Sequence, residues 1–326
     1  MSSATARAYP NIALVKYWGK RDETLMLPAA GSLSLTLDAF ATTTTVTLAP
    51  ESPHDTFVLN GVAQQGDSLA RVTKFLDLVR GLADSNVHAS VTSLNEAPTG
   101  AGLASSASGF AALAVAAAAA YGLHLDRSAL SRLARRGSGS AARSLIDGVA
   151  VWHAGVSDET SFAEHVTAPY MSMIIVTVDE TQKAISSREA MRQCALTSPF
   201  YAAWVESTEQ SLEAMLEACT DADFTRIGRI TETHAMRMHA VIQATDPPIR
   251  YLAPTSIAIF NAVAQLRNQG VEAYATADAG PNVAVISRPA DAAAVADALQ
   301  QFGQVRIVGA GKGAHLIDTP VGADGE

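Results

Sequence analysis

The chain has 326 residues, 48% of them hydrophobic and 17% charged, which is enough to bury the core of one large domain or two ordinary ones. Its formal net charge of −9 excludes a broadly basic nucleic-acid-binding face, so any anion it binds must be met by cations gathered locally. The longest apolar run falls short of a membrane span, no charged leader precedes an apolar stretch, and Cys194 and Cys219 stand in no C-x-x-C or C-x-x-H pattern, so the expectation is a cytoplasmic protein with no membrane partner, disulfide framework or zinc site.

In chain order, "NIALVKYWGK" (11–20) reads as an apolar strand whose polar end carries Lys16, Tyr17 and Lys20. By itself this is first of all a strand end whose lysines reach solvent. Strands follow over 32–49 and 55–61, then a helix over 68–83 and a strand over 88–95. A glycine-rich loop leads into an alanine-rich helix ending near Tyr121. The next helix has Asp126 as N-cap and Gly137 as its stop. The second half is read as a strand over 172–179, helices over 188–219, 221–243 and 256–270, two strands around a turn within 271–287, a helix over 289–303 and a last strand over 304–318. Strands and helices come in runs without strict alternation. This predicts an α+β protein of two layered domains, 1–180 and 181–326, meeting near residue 180.

Four segments carry candidate chemistry. In "PTGAGLASSASG", Pro98, Gly100 and Gly102 let backbone approach a ligand, and the following helix offers unpaired amides and its positive dipole end to an anion. Ser105, Ser106 and Ser108 add hydroxyls for phosphate or magnesium. The segment matches neither a Walker A loop nor G-x-G-x-x-G, and taken alone it is equally a tight turn with serine caps. In "RRGSGSAARS", Ser138 and Ser140 can cap a helix start beside Arg143, whose fork suits carboxylate or phosphate, although an ordinary surface arginine is the commoner outcome. "QKAISSR" places Lys183 and Arg188 in a polar loop where the halves should meet. "TADAGPN" places Asp278 in a turn, where a carboxylate can orient or deprotonate a hydroxyl. The histidines show no metal spacing; His234 and His239 are five apart, do not share a helix face, and are read as structural or surface residues.

Together these segments resemble the GHMP kinase superfamily, whose phosphate loop has the form P-x-x-x-G-L-x-S-S-A. Pro98, Gly102, Leu103, Ser105, Ser106 and Ala107 match it. "NIALVKYWGK", "GSGSAAR", "KAISSR" and "DAGPN" in this order resemble the diphosphomevalonate decarboxylase family within it, over residues 9–316. The resemblance implies a GHMP kinase fold with the site in the cleft between two domains, ATP and Mg2+ as cofactors, a phosphorylated mevalonate as substrate, and a homodimer. It implies Asp278 as the group that orients or deprotonates the C3 hydroxyl, Lys16 beside it, and Arg143 with Asn11 on the substrate carboxylate. Tyr17, Lys20, Arg71, Ser138, Gly139, Ser140, Lys183 and Arg188 would line the anionic tail. Pro98, Gly100, Gly102, Leu103, Ala104, Ser105, Ser106 and Ser108 would hold ATP, with Ser106 at the metal. Ala30 and Gly31 depart from the family, removing polar groups near the expected pocket. The alternatives are a 5-phosphomevalonate decarboxylase, a mevalonate 3-kinase that stops after phosphorylation, and a non-catalytic sensor, which would have lost the phosphate loop or Asp278.

Overall fold

In the computed structural model, which describes residues 2–96, 105–178 and 185–318, the chain forms an α+β stack of sheets and helices. Strands Ser3–Ala8, Thr42–Leu48 and Ala89–Asn95 form the middle of a six-stranded sheet. The threonine-rich strand buries Thr42, Thr44 and Val46, because successive side chains leave a pleated strand on opposite faces. Helix α1 (Gly66–Ala83) contributes Val72, Phe75, Leu76 and Val79 to the same core, at the spacing of one helix face. Helix α2 (Ser105–Ala120) is apolar nearly all round and correspondingly buried; its alanines let it lie close against Ser3–Ala8 and Thr42–Leu48. Helix α3 (Arg127–Gly137) starts as expected, with the Asp126 carboxylate accepting from the Ala129 amide at 2.7 Å.

A second, four-stranded antiparallel sheet joins Asn11–Val15, Ser32–Thr36, Val149–Trp152 and Ala163–His165. Every residue of its strands Asn11–Val15 and Ser32–Thr36 is buried, so both faces are covered. A third sheet has the order Ala273–Thr276, Val283–Ser287, Ser172–Thr177, Gln304–Val308. The later helices are α4 (Ser187–Thr197), α5 (Tyr201–Thr220), α6 (Phe224–Gln243), α7 (Pro254–Asn268) and α8 (Ala292–Leu299). Leu14, Leu33 and Leu35 from the second sheet, Met173 and Ile286 from the third, and Met215, Phe224 and Ile227 from α5 and α6 share one core. The helices thereby tie the two sheets together.

The expected helix over 188–219 is two helices, α4 and α5. Pro199 cannot donate into a helical ladder and disfavours helical backbone at Ser198, so α4 ends at Thr197. The segment 32–49 is interrupted after Thr36, with Phe40 at φ 63°. The expected last strand is also two, Gln304–Val308 and His315–Ile317, in different sheets. Between them Gly311 donates to the Thr36 carbonyl at 2.8 Å, and a Cβ there would run into the Leu37 carbonyl. His315–Ile317 pairs with Ser3–Ala8, and Ser172–Thr177 lies inside the third sheet, so a division of the chain at residue 180 would separate that strand from its partners.

Candidate active site

Two segments 262 residues apart meet at one ion pair. Lys16 leaves the strand Asn11–Val15, Asp278 follows Ala273–Thr276, and Lys16 Nζ stands 2.6 Å from Asp278 Oδ1. The lysine side chain is 1% exposed and the carboxylate 29%, so the pair is reached from one side, through the aspartate. Burial lowers the Lys16 ammonium below its ordinary value, Asp278 works against that shift, and the nearby Arg143 cation adds to it.

Arg143 belongs to a 3₁₀ helix, Gly139–Leu145, and is almost fully buried. Its Nε donates to Ser34 Oγ at 2.8 Å and more weakly to Asn11 Oδ1 at 3.3 Å, Nη1 donates to Ser32 Oγ, and Nη2 to Asn11 Oδ1 at 3.2 Å. A guanidinium has five N–H donors, so among the described residues one on each terminal nitrogen stays available to an anion such as a carboxylate. Burial pushes Arg143 down to about 10, against the pull of Asp278 and Tyr17. Asn11 is itself fixed by donating to the Ser140 carbonyl at 3.0 Å and to Ser144 Oγ at 2.8 Å. Lys16, Asp278, Arg143 and Asn11 are thus held in one place as rigid, mostly buried groups.

Further out, burial lowers Lys20 and Arg71, the Arg188 cation on α4 adds to both shifts, and it also opposes the burial-driven rise of Tyr17. Among the described residues none of Lys20, Arg71 and Arg188 has a salt-bridge partner. Cations left unbalanced in an acidic protein suit a multiply charged anion. Lys20 rides on a hairpin, Lys20–Asp22 with Leu27–Pro28, which the buried Arg135 secures by donating from Nε to the Leu25 carbonyl at 3.1 Å. The Tyr17 hydroxyl is buried with no partner among the described residues, and a Cβ at Gly139 would lie 2.8 Å from it, so glycine is what fits beside that ring.

At the start of α2, the exposed Ser106 hydroxyl is 3.2 Å from Ser138 Oγ, which is 3.5 Å from Ser140 Oγ. Two expectations change here. Ser138 begins the 3₁₀ helix without a side-chain capping bond, because its hydroxyl faces the other serines. Ser108 is fully buried against Thr42 Oγ1 at 2.7 Å, on the core side of α2, and cannot present its hydroxyl to a nucleotide. Pro98, Gly100, Gly102, Leu103, Ala104, Lys183 and the side chain of Ser105 lie outside the described residues. Beside Ser106 opens a pocket walled by Phe57, Leu59, Val72 and Phe110 with Arg71 and Asn95 among its polar positions, a mostly apolar lining of the kind that receives the ring of a small ligand. Among the described residues no three carboxylate, histidine or cysteine side chains gather to hold a metal. The exposed Ser106 hydroxyl at the start of α2 is an oxygen that a magnesium ion carried by nucleotide phosphates would accept. Ala30 is buried, and a side chain at Gly31 would run into Leu212 and the Trp152 carbonyl, so packing explains that departure.

Ser32, Ser34, Ser144, His234 and His239 also belong to the site and went unpredicted. In "SLSLT" the alternation suggests a half-exposed strand, but both faces are buried, and a buried serine requires a partner, here Arg143. The histidines are buried on α6, so of the two readings, structural and surface, the structural one holds.

A family model described as the diphosphomevalonate decarboxylase-like N-terminal domain matches residues 8–163, and one described as the mevalonate 5-diphosphate decarboxylase C-terminal domain matches 173–311. A diphosphomevalonate decarboxylase of Candida albicans is 36% identical, covering 98% of this chain and 93% of its own. A solved mevalonate diphosphate decarboxylase from Enterococcus faecalis is 44% identical with a TM-score of 0.91, covering 97% of this chain and 99% of that one. A solved structure of MDDEF in complex with MVAPP, AMPPCP and magnesium is 45% identical with a TM-score of 0.93 over the same shares. With both halves matched in order, and with the GHMP kinase fold shared with these structures, this chain belongs to the diphosphomevalonate decarboxylase family.

Proposed function

We propose that the protein catalyses the ATP-dependent decarboxylation of (R)-5-diphosphomevalonate to isopentenyl diphosphate, ADP, phosphate and carbon dioxide, in the mevalonate route of isoprenoid synthesis. The observation that carries this is the Lys16–Asp278 pair beside Arg143 and Asn11, a base and a carboxylate grip near enough for their charges to act on each other. The ligands of the related complex, a nucleotide analogue, MVAPP and magnesium, agree with it.

Asp278 orients the C3 hydroxyl and takes its proton as that oxygen attacks the γ-phosphorus of ATP; the new O–P bond forms and the bond to ADP breaks. Lys16 holds the aspartate in register and offsets negative charge as the oxygen develops it. Bound magnesium supplies charge neutralisation on the phosphates, for which Ser106 is the protein oxygen. The C3–O bond then breaks to release phosphate, the C–C bond to the carboxylate breaks to release carbon dioxide, and its electrons complete the double bond. Arg143 and Asn11 hold the carboxylate in line for that departure. Tyr17, Lys20, Arg188, Ser138, Gly139 and Ser140 receive the diphosphate tail, with Lys183 from the neighbouring segment. Arg71, which lines the pocket beside Ser106 and feels Arg188, serves the anions from between. The enzyme works in the cytoplasm as a homodimer. The test is to follow ADP and carbon dioxide in parallel with 5-diphosphomevalonate and with 5-phosphomevalonate. Equal yields of both products, with higher kcat/KM on the diphosphate, are expected; ADP without carbon dioxide, or preference for the monophosphate, refutes the assignment.

A further inference from the structure

Lys16 and Asp278 arrive at the ends of strands in different sheets, and no ladder joins those strands. A side-chain ion pair alone would leave both backbones free to drift. Helix α6 touches both. The Lys16 amide donates to His234 Nδ1 at 3.0 Å, and one helical stretch later His239 Nε2 lies 3.3 Å from the Ala277 carbonyl, the group just before Asp278. We propose that α6 braces the catalytic pair, with His234 and His239 as positioning residues for Lys16 and Asp278. The proposal rests on the functional reading above.

The hydrogen-bond chemistry dictates the protonation of both rings. An amide donor at Nδ1 requires a lone pair there, so the His234 proton sits on Nε2, which donates to Thr208 Oγ1 of α5 at 3.2 Å. A carbonyl partner requires an N–H, so His239 also carries its proton on Nε2. Both rings are 1% exposed. Burial first and the Lys16 charge in addition hold His234 down to about 3, and burial likewise holds His239 at about 4, so neither changes charge near neutral pH. Five residues turn a helix by about 140°, too far apart for one ion but suited to two chain segments reaching α6 from different sides.

The test uses variants that keep or remove one atom. Glutamine places its amide nitrogen as many bonds from Cβ as His Nε2, and asparagine places its oxygen as many as His Nδ1. His239→Leu should lower kcat roughly ten- to a hundredfold, the size of effect expected when a reacting group slips by about 1 Å. KM for ATP and for 5-diphosphomevalonate should stay within about twofold. His239→Gln should recover most of the loss, and His234→Leu and His234→Asn should form a second such pair. His239→Asn, polar but one bond short of the Ala277 carbonyl, should fall with His239→Leu and serves if the leucine variant does not fold. On an Asp278→Asn background, His239→Leu should subtract nothing further. Wild-type kcat in His239→Leu and His234→Leu, with Asp278→Asn inactive, overturns this inference alone. An active Asp278→Asn overturns the functional reading beneath it. A loss in His239→Leu that raises both KM values, lowers the melting temperature and is not recovered by glutamine marks an ordinary core residue and also overturns the inference.

Discussion

Replacing Asp278 by asparagine keeps the size and planarity of the side chain and removes its charge and its basicity. Loss of a group that moves or orients a proton lowers kcat by about 10²- to 10⁴-fold. The tail cations and the pocket beside Ser106 are untouched, so binding of nucleotide and substrate should be nearly unchanged. The same change has a second, separable effect. It leaves Lys16 facing a neutral amide in a place where its side chain is 1% exposed. Removing one partner of a buried pair costs about 3 to 5 kcal/mol. Here the value should lie near or below the low end of that range, since the carboxylate side is 29% exposed and Lys16, already lowered by burial, can lose its proton once Asp278 no longer opposes that shift. The double variant Lys16→Met/Asp278→Asn should therefore regain stability while staying inactive. The assays are steady-state carbon dioxide and ADP release, calorimetric titration with AMPPCP, and thermal unfolding. An Asp278→Asn enzyme that keeps more than about a tenth of wild-type kcat refutes the assignment.

Arg143→Lys keeps a charge but cannot donate to Asn11, Ser32 and Ser34 and still present two prongs, so kcat/KM should fall clearly; full activity in steady-state kinetics would reduce Arg143 to a packing residue. Arg188→Ala should lower kcat/KM about ten- to a hundredfold on 5-diphosphomevalonate and less on 5-phosphomevalonate, measured side by side. Ser106→Ala should raise the KM for ATP or lower kcat, whereas Ser108→Ala, which removes a buried hydroxyl bonded to Thr42, should lower the unfolding midpoint. His234, held neutral at about 3, predicts an acid-sensitive fold: between pH 6.5 and that value the unfolded chain binds a proton that the folded one refuses, so stability rises with pH there, and this one group removes about 2 kcal/mol on going from pH 7.5 to pH 5. Denaturant unfolding at the two pH values should show that loss, and His234→Asn should lessen it.

Local pattern was enough to place most elements and to bring out the candidate residues that the fold then gathers. Asp126 before its helix, the alanine run of α2, and the clustering of Lys16, Lys20, Arg143 and Asp278 in short motifs are all properties of neighbouring residues, which a one-dimensional sequence preserves. Chain breaks that depend on one residue were harder: Pro199 divides a long amphipathic stretch, and glycines at 309, 311 and 313 carry the chain from one sheet to another by lying against distant backbone. Which side of a helix a polar residue faces was decided only in three dimensions. Ser106 and Ser108 are two positions apart in one motif, yet one is exposed beside Ser138 and the other is buried against Thr42. Ser32 and Ser34 became guanidinium partners because the second sheet is covered on both faces, a fact about layers that alternation within a strand cannot encode. His234 and His239 acquired their partners from segments 218 and 38 residues away. Hydrogen bonds of that separation exist only once the sheets and helices have packed, and for that reason the sequence determined the chemistry available while the tertiary structure determined which groups hold it in place.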